Sequence, residues 1–390
     1  RLTAGIGVAT AISLAVAPRQ AQRAHTARQA RRREVAAGLA SIVVPQPAVA
    51  AAEYVVEEAI SQARLSVDLG KSPVRTVVIT GANSGVGLAG AKLLAASGHR
   101  VICACRTSAK AAAAAAACME YAKEGPRAGE AVGLVCDLAD MSSVRDFVSE
   151  LRERKEKVDT LVLNAGLSLN ATEKGSEFVQ RTADGFERTI GTNHLGHFLL
   201  ANLMLPVLES ASKPRLVITA SPVHDPNSGG GNVGPPAGLG DLSGLSSPNF
   251  EMVDGSSFDP DKAYKDSKLC NLLFMGEAVR RFGPKGVSVN SFSPGLIADP
   301  NGFFRNQNQI FANVFNQISR FAGVAETNEF GGAALAYLAV DPVMDGTQGG
   351  WYDTYPPGKH QLAKHAPSQE ALNVEKQQKL WELSAKLTKI

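Results

Sequence analysis

The chain is poor in cysteine and in net charge. Its 390 residues hold five cysteines, an odd number, with no C-x-x-C pair and no His/Cys cluster at zinc spacing. That excludes a disulfide scaffold, predicts free thiols and argues against a structural metal. Lys and Arg number 40 against 37 Asp and Glu, a formal charge of +3, too small to argue for nucleic acid as a partner. Beyond the first 70 residues or so, no run of about 18 apolar residues predicts a membrane-spanning helix. What remains is an ordinary globular balance, 44% apolar and 20% charged, which excludes disorder and collagen-like repeats. With 37 Gly and 20 Pro, many tight turns around a compact core are expected.

The charge is unevenly placed. Residues 1–33 carry seven Arg and no Asp, Glu or Lys. An Arg-rich, acid-poor segment reads as an organelle transit peptide. Leu2 to Ala17 could equally form a signal-peptide core. A second element follows: Arg31-Arg32-Arg33, the apolar stretch Val35–Val44, then the small residues Ala48-Val49-Ala50-Ala51. It reads either as a thylakoid-type export signal or as an Ala-rich linker. Residues 1–70 are set apart from the fold as a targeting segment.

From residue 74 strands and helices alternate. Strands are expected at Val74–Thr80, Arg100–Cys105, Val132–Cys136, Val158–Leu163, Arg215–Thr219, Val287–Phe292 and Gly349–Tyr352. Val74–Thr80 is a continuous β-branched run, the mark of a strand buried on both faces, and Arg100–Cys105 reads as a second buried strand. Helices are expected over 85–97, 108–123, 141–156, 183–210 and 264–282, with a last one in 366–390. This βαβ alternation predicts an α/β fold, a single doubly wound Rossmann-type parallel sheet with helices on both faces. A ligand would lie at the switch point between the first and fourth of these strands.

The first strand runs into Thr80-Gly81-Ala82-Asn83-Ser84-Gly85-Val86-Gly87 and a helix. Glycines let the backbone approach a pyrophosphate, and the helix N-terminus supplies N–H donors. The strand before and the helix after confirm the context. At the end of the second strand stand Arg106 and Lys110, with no acid between Val101 and Ala117. A guanidinium there suits the 2′-phosphate of NADPH; the bland alternative is two solvated cations. Asp137 and Leu138, and Asn164-Ala165-Gly166, follow the third and fourth strands, where adenine and ribose would sit. Tyr264 and Lys268 lie i,i+4 on one helix face. An ammonium beside a phenol is expected to lower its pKa and fit it for proton transfer. Ser221 follows the fifth strand and could hold the reacting group. Asn193 would bind a water, kink its helix or simply be exposed. His194 and His197 are read as packing and hydrogen-bonding residues.

These residues together resemble the short-chain dehydrogenase/reductase family. Thr80–Gly87 is similar to its T-G-x-x-x-G-x-G loop and Asn164-Ala165-Gly166 to its N-A-G. Asn193, Ser221, Tyr264 and Lys268 are similar to its catalytic tetrad. Pro294-Gly295, with Ile297 beyond it, is similar to its turn beside the nicotinamide. Forty-three residues separate Ser221 from Tyr264, more than that family usually has. The insertion, residues 222–260, resembles that of the light-dependent protochlorophyllide oxidoreductases. So do Ala104-Cys105-Arg106, Thr192-Asn193-His194-Leu195-Gly196-His197-Phe198 and Lys262-Ala263-Tyr264-Lys265-Asp266-Ser267-Lys268-Leu269-Cys270-Asn271.

The resemblance implies NADPH as cofactor, a protochlorophyllide-like tetrapyrrole as substrate, light-dependent reduction of a ring C=C in chlorophyll biosynthesis, and a plastid location. Tyr264 with Lys268 would supply or organise the proton. Peripheral membrane association and a homo-oligomer are further expectations. The reductase domain spans 71–365, and the segment 300–322, apolar at helical spacing, would be a lid over the substrate. The pattern departs at Leu296, where the resemblance implies a Cys, and at Ser293, where it implies a Tyr. Leu cannot donate a proton. Two other readings therefore stay open: a light-independent NADPH carbonyl or alcohol reductase on another plastid substrate, and a non-catalytic pigment-binding scaffold.

Overall fold

The computed structural model describes residues 58–61, 64–65, 69–169, 178–297 and 324–390. All of these belong to one unit, Ala50–Ile390. The leader before residue 58 and the expected lid, 300–322, lie outside the described residues.

Among the described residues nine strands form one sheet: β1 (Glu58–Ser61), β2 (Thr76–Thr80), β3 (Arg100–Cys105), β4 (Glu130–Val135), β5 (Thr160–Leu163), β6 (Arg215–Thr219), β7 (Ser288–Phe292), β8 (Trp351–Thr354) and β9 (Gln361–Lys364). Their order is β1-β9-β8-β7-β6-β5-β2-β3-β4. Every pairing from β4 to β8 is parallel. This is the expected Rossmann-type parallel sheet, extended at one edge by β9, which runs antiparallel to both β8 and β1. The targeting-segment boundary at 70 needs correction. β1 pairs within the sheet, and Ile60, Leu65 and Leu69 are buried. Four residues reading Glu-Ala-Ile-Ser carry no β-branched run, so the strand had no signal of its own.

Among the described residues seven helices flank the sheet: α1 (Gly85–Ala96), α2 (Ser108–Ala122), α3 (Met141–Glu153), α4 (Arg188–Leu208 overall), α5 (Pro260–Phe282), α6 (Asn328–Val340) and α7 (Val374–Thr388). On one face α1, α2 and α6 share a core with Val77, Ile79, Val101 and Cys103. On the other α3, α4, α5 and α7 share one with Val78, Ile102, Leu161 and Leu216. Successive residues of one strand thus feed opposite cores, as the strand period of two requires. α6 had no counterpart in the sequence reading. All but its first two residues are buried, and it meets α1 backbone to backbone. A Cβ on Gly332 would lie 2.6 Å from Gly90 N. α7 docks through Trp381, whose ring meets Phe198, Phe274 and Phe282 at centroid distances of 4.9, 5.6 and 5.7 Å.

The expected helix over 183–210 begins later. Glu187 caps it by accepting from the N–H groups of Thr189 and Ile190. It then runs as α-helix Arg188–Ile190, π-helix Gly191–Leu195 and α-helix Gly196–Leu208. From β2 the chain proceeds to β3 and β4 on one side, and β5 pairs on the other side of β2. This reversal leaves a crevice at the carboxyl ends of β2 and β5, where such sheets bind ligands.

Candidate active site

The glycine loop opens this crevice. Thr80 ends β2, Gly81 and Gly85 take left-handed φ values of +69° and +54°, and Ser84 is the N-cap of α1. A Cβ on Gly87 would lie 2.5 Å from Asn164 Nδ2 and 2.6 Å from Gly81 O. Only hydrogen fits there, so the loop folds back on itself and on the end of β5. The helices α2, α3, α4, α5, α6 and α7 each receive a side-chain cap, from Thr107, Asp140, Glu187, Asp259, Thr327 and Asn373. α1 receives none, and its first turn holds no acidic residue. Its first N–H groups and positive dipole end are therefore left for an external anion. A pyrophosphate fits that description. Val86 packs one turn in, within reach of Gly331 and Pro294.

Thr80 Oγ1 fastens the strand ends. It accepts from the N–H groups of Asn164 (2.9 Å) and Ala165 (3.0 Å), while Asn164 Nδ2 donates to Thr80 O at 2.9 Å. His197 Nε2 stands 2.9 Å from the same hydroxyl, and its Nδ1 stands 3.1 Å from Asn193 O. A carbonyl only accepts, so Nδ1 carries the proton and Nε2 accepts from Thr80. Burial pushes His197 down to about 3, so the ring stays neutral. This buried Thr80–His197 link was not foreseen as part of the site. Its only sequence signal was a histidine one turn after Asn193.

Arg106 begins the β3–α2 connection, Lys110 lies in the first turn of α2, and both side chains are exposed. Neither has a hydrogen bond or ion pair from its side chain among the described residues, which leaves both cations for a phosphate. Asp137 and Leu138 follow β4. Asp137 turns inward to accept from Ala139 N, and Leu138 is buried against Gly196.

Asn193 lies at the centre of the π-helical turn and is fully buried. Neither exposure nor a bare kink describes it. Its Oδ1 accepts from Leu167 N at 2.9 Å, and its Nδ2 donates to Leu167 O (2.9 Å) and Ser267 Oγ (3.0 Å). Ser267 Oγ in turn donates to Tyr264 O at 2.6 Å. One amide therefore holds the Asn164-Ala165-Gly166-Leu167 turn against α5.

Ser221 follows β6 and caps a short turn, Pro222–His224. Its hydroxyl hydrogen-bonds the Tyr264 phenol. Burial raises the phenol's pKa, and the Ser221 bond only partly offsets this. The expectation that Lys268 lowers it is therefore corrected: desolvation dominates, and Tyr264 is a protonated phenol. Lys268 Nζ stands 5.5 Å from the phenol ring centroid. The residue is 4% exposed, and burial lowers its pKa to about 8. Its ammonium has no hydrogen-bond partner among the described residues, although a buried charge normally demands one. A Cβ on Gly166 would lie 3.5 Å from that nitrogen and 3.6 Å from Asn193 Oδ1. Such an ammonium at the crevice fits the hydroxyls of a nicotinamide ribose.

Pro294-Gly295 turns after β7, with Gly295 at φ +79°. Ile297 forms a bridge with Glu326, whose N–H donates to Leu296 O at 2.9 Å. Pro294 approaches Val86 across Gly331, so this turn closes the same crevice from the far side. The structure thus brings together Tyr264, Ser221, Lys268 and Asn193, with the glycine loop beside them. Arg106 and Lys110 lie at the outer end, beyond β3.

This sheet, loop and Tyr–Lys helix define an oxidoreductase of the dinucleotide-binding class. Residues 75–231 match the short chain dehydrogenase family. The chain is 43% identical over 333 residues to protochlorophyllide reductase A, chloroplastic, of Oryza sativa subsp. japonica, with 82% of each chain covered. It is 41% identical to protochlorophyllide reductase, chloroplastic, of Pisum sativum, covering 82% of this chain and 79% of that one. Among solved structures, an uncharacterized protein from Mycobacterium Paratuberculosis aligns with a TM-score of 0.59 at 29% identity, over 82% of this chain and 97% of that one. L-Sorbose reductase from Gluconobacter frateurii, complexed with NADPH and L-sorbose, shares the fold at TM-score 0.53 and 18% identity, over 74% and 97%. The chain belongs to the short-chain dehydrogenase/reductase family, and within it to the branch of the protochlorophyllide reductases.

Proposed function

We propose that the chain is a plastid NADPH:protochlorophyllide oxidoreductase, adding a hydride and a proton across one ring C=C of the tetrapyrrole under light. The observation that carries this reading is the Tyr264 phenol, hydrogen-bonded to Ser221 and one helical turn from the Lys268 ammonium, which has no hydrogen-bond partner among the described residues. The relatives at about 40% identity supply the substrate. NADPH supplies the hydride when bound. Arg106 and Lys110 hold its 2′-phosphate, and the α1 N-terminus its pyrophosphate. Asp137, Leu138 and the Asn164-Ala165-Gly166 turn flank the adenine and ribose. Lys268 binds the nicotinamide ribose. Pro294, Gly295 and Ile297 back the nicotinamide. Tyr264 keeps its proton at Oη, oriented by Ser221, ready for the ring carbon next to the one reduced. Asn193 holds the floor of the site. Leu296 contributes no proton, which leaves Tyr264 as the donor on this side.

The experiment mixes purified protein, NADPH and protochlorophyllide and compares flash illumination with darkness. A red-shifted product band after the flash, absent in the dark, is expected. Product forming equally in the dark removes the light requirement, and pigment that binds without turnover removes the enzymatic reading. For location, the chloroplastic relatives point to the plastid. Peripheral membrane attachment and self-association are part of the same proposal, checked by vesicle flotation and by sedimentation.

A further inference from the structure

The segment between β6 and α5 has two differently held parts. From Ala237 onward it is anchored by the core, with Leu239, Leu242, Leu245 and Val253 buried. Residues 226–236 have no such anchor: apart from Gly231, every one is half-buried or exposed. They include glycines 229, 230, 231 and 234, so their backbone has much freedom to lose and little apolar burial to offset it. One side chain from α5 holds their second half. Lys265 Nζ donates to the carbonyls of Gly231 (3.0 Å), Val233 (2.5 Å) and Pro235 (2.9 Å). An ammonium has three donors, and all three are used. Lys265 is 6% exposed, so these carbonyls replace its water shell. The next stretch is seated the same way: Lys262 Nζ donates to Gly238 O (2.7 Å), and Asp266 Oδ1 accepts from Gly238 N (3.0 Å).

The position of the cage matters. Lys265 directly follows Tyr264. The loop's other end is continuous with the turn capped by Ser221, because Ser228 Oγ donates to Pro222 O (2.7 Å) and accepts from Gly231 N (2.9 Å). The loop is thus tied to the residue after Tyr264 and to the residue after Ser221, the phenol's hydrogen-bond partner. We propose that Lys265 is a positioning residue that fixes loop 226–236 as a side wall of the substrate cleft, presenting Val233, Pro235 and Pro236 to the apolar face of a flat ring substrate. This rests on the proposed function for the identity of that substrate.

The test uses the full chain with NADPH. Lys265→Met keeps the length and removes the three donors. Its KM for protochlorophyllide should rise about tenfold or more, with kcat within about threefold and NADPH affinity within about twofold of wild type. Hydrogen exchange at 226–236 should accelerate. Lys265→Arg keeps a cationic donor group at the same place, and should recover much of the KM. A folded Lys265→Met with unchanged KM, or one losing NADPH affinity in parallel, overturns the inference. If the variants do not fold, the wild type decides: protochlorophyllide added to the NADPH complex should slow exchange at 226–236, and no slowing overturns the wall. Wild-type turnover alone reports on the proposed function. Turnover with an unmoved KM in the variant sinks only Lys265; an inactive wild type sinks both, and needs no variant to be seen.

Discussion

Tyr264 and Lys268 are both shifted by burial, in opposite senses, and each shift can be measured. Burial keeps the phenol protonated, with its Ser221 bond a partial offset. A neutral phenol is a proton donor, so Tyr264→Phe should leave NADPH affinity within about twofold and slow reduction roughly 10²–10⁴-fold. Single-turnover flash spectroscopy checks this, and an unchanged rate would assign the proton elsewhere. Lys268 is lowered by burial from 10.5 to about 8. Between those values the unfolded chain holds a proton that the folded one lacks. Without cofactor, stability from this group therefore rises as pH goes from 8 to 10.5, by on the order of 3 kcal/mol. Urea midpoints across that range should show the rise in wild type and not in Lys268→Met. Arg106 makes a third case. Its unpartnered guanidinium predicts that Arg106→Ala weakens NADPH about 10–100-fold and barely touches NADH, since a charge-assisted bond to phosphate contributes roughly 1.5–3 kcal/mol. Equal losses for both cofactors in a binding titration would remove the phosphate assignment.

At the scale of elements, the site depends on where a helix departs from its period. The π-helical turn Gly191–Leu195 places Asn193 inward, where it bonds both polar groups of Leu167. Asn193→Ala would unpair the half-buried N–H and C=O of Leu167 and a partner of Ser267, a loss of about 1–3 kcal/mol. Thermal unfolding should show that loss together with reduced turnover; loss of activity alone would mean the amide acts on the substrate directly. The sequence carried the residue but not its geometry. The stretch 183–210 reads as one long helix, and a single widened turn within it leaves no mark in the residue pattern. Strand ends and the glycine loop were legible because each has a local cause: β-branched runs for β2, β3 and β6, and positive φ for Gly81 and Gly85. α6 was not legible because Phe330 to Val340 is apolar on every side, which leaves no period to detect. β1 and β9 are four residues each, and their pairing is set by distant partners. The Thr80–His197 bond spans 117 positions, so the local pattern marks the histidine but not its partner.

At the scale of the whole molecule, the sheet is fastened at its amino end, opposite the crevice, by one carboxylate. Asp345 takes Arg75 (2.7 Å) and Arg215 (2.5 Å) on Oδ1 and Lys213 (2.6 Å) on Oδ2. Arg215, only 2% exposed in its side chain, also donates to Leu338 O and Asp341 O. The cluster thus joins the entries of β2 and β6 to the end of α6. Burial pushes the Asp345 carboxyl up, but its bonds to Lys213 and Arg215 outweigh that and hold it below the usual carboxylate range. Its contribution is therefore present above the unfolded pKa and disappears as pH falls through the depressed folded value. Asp345→Ala would leave the buried Arg215 guanidinium without its counter-charge, a loss of about 3–5 kcal/mol. The cluster touches neither the glycine loop nor α5, so at a temperature where the variant is folded, KM for NADPH and the flash yield should match wild type. Chemical denaturation and turnover on the same preparation separate the two quantities. A variant as stable as wild type would show that Leu338 O and Asp341 O suffice for Arg215, whereas a folded variant with altered KM would show that the two ends of the sheet are coupled.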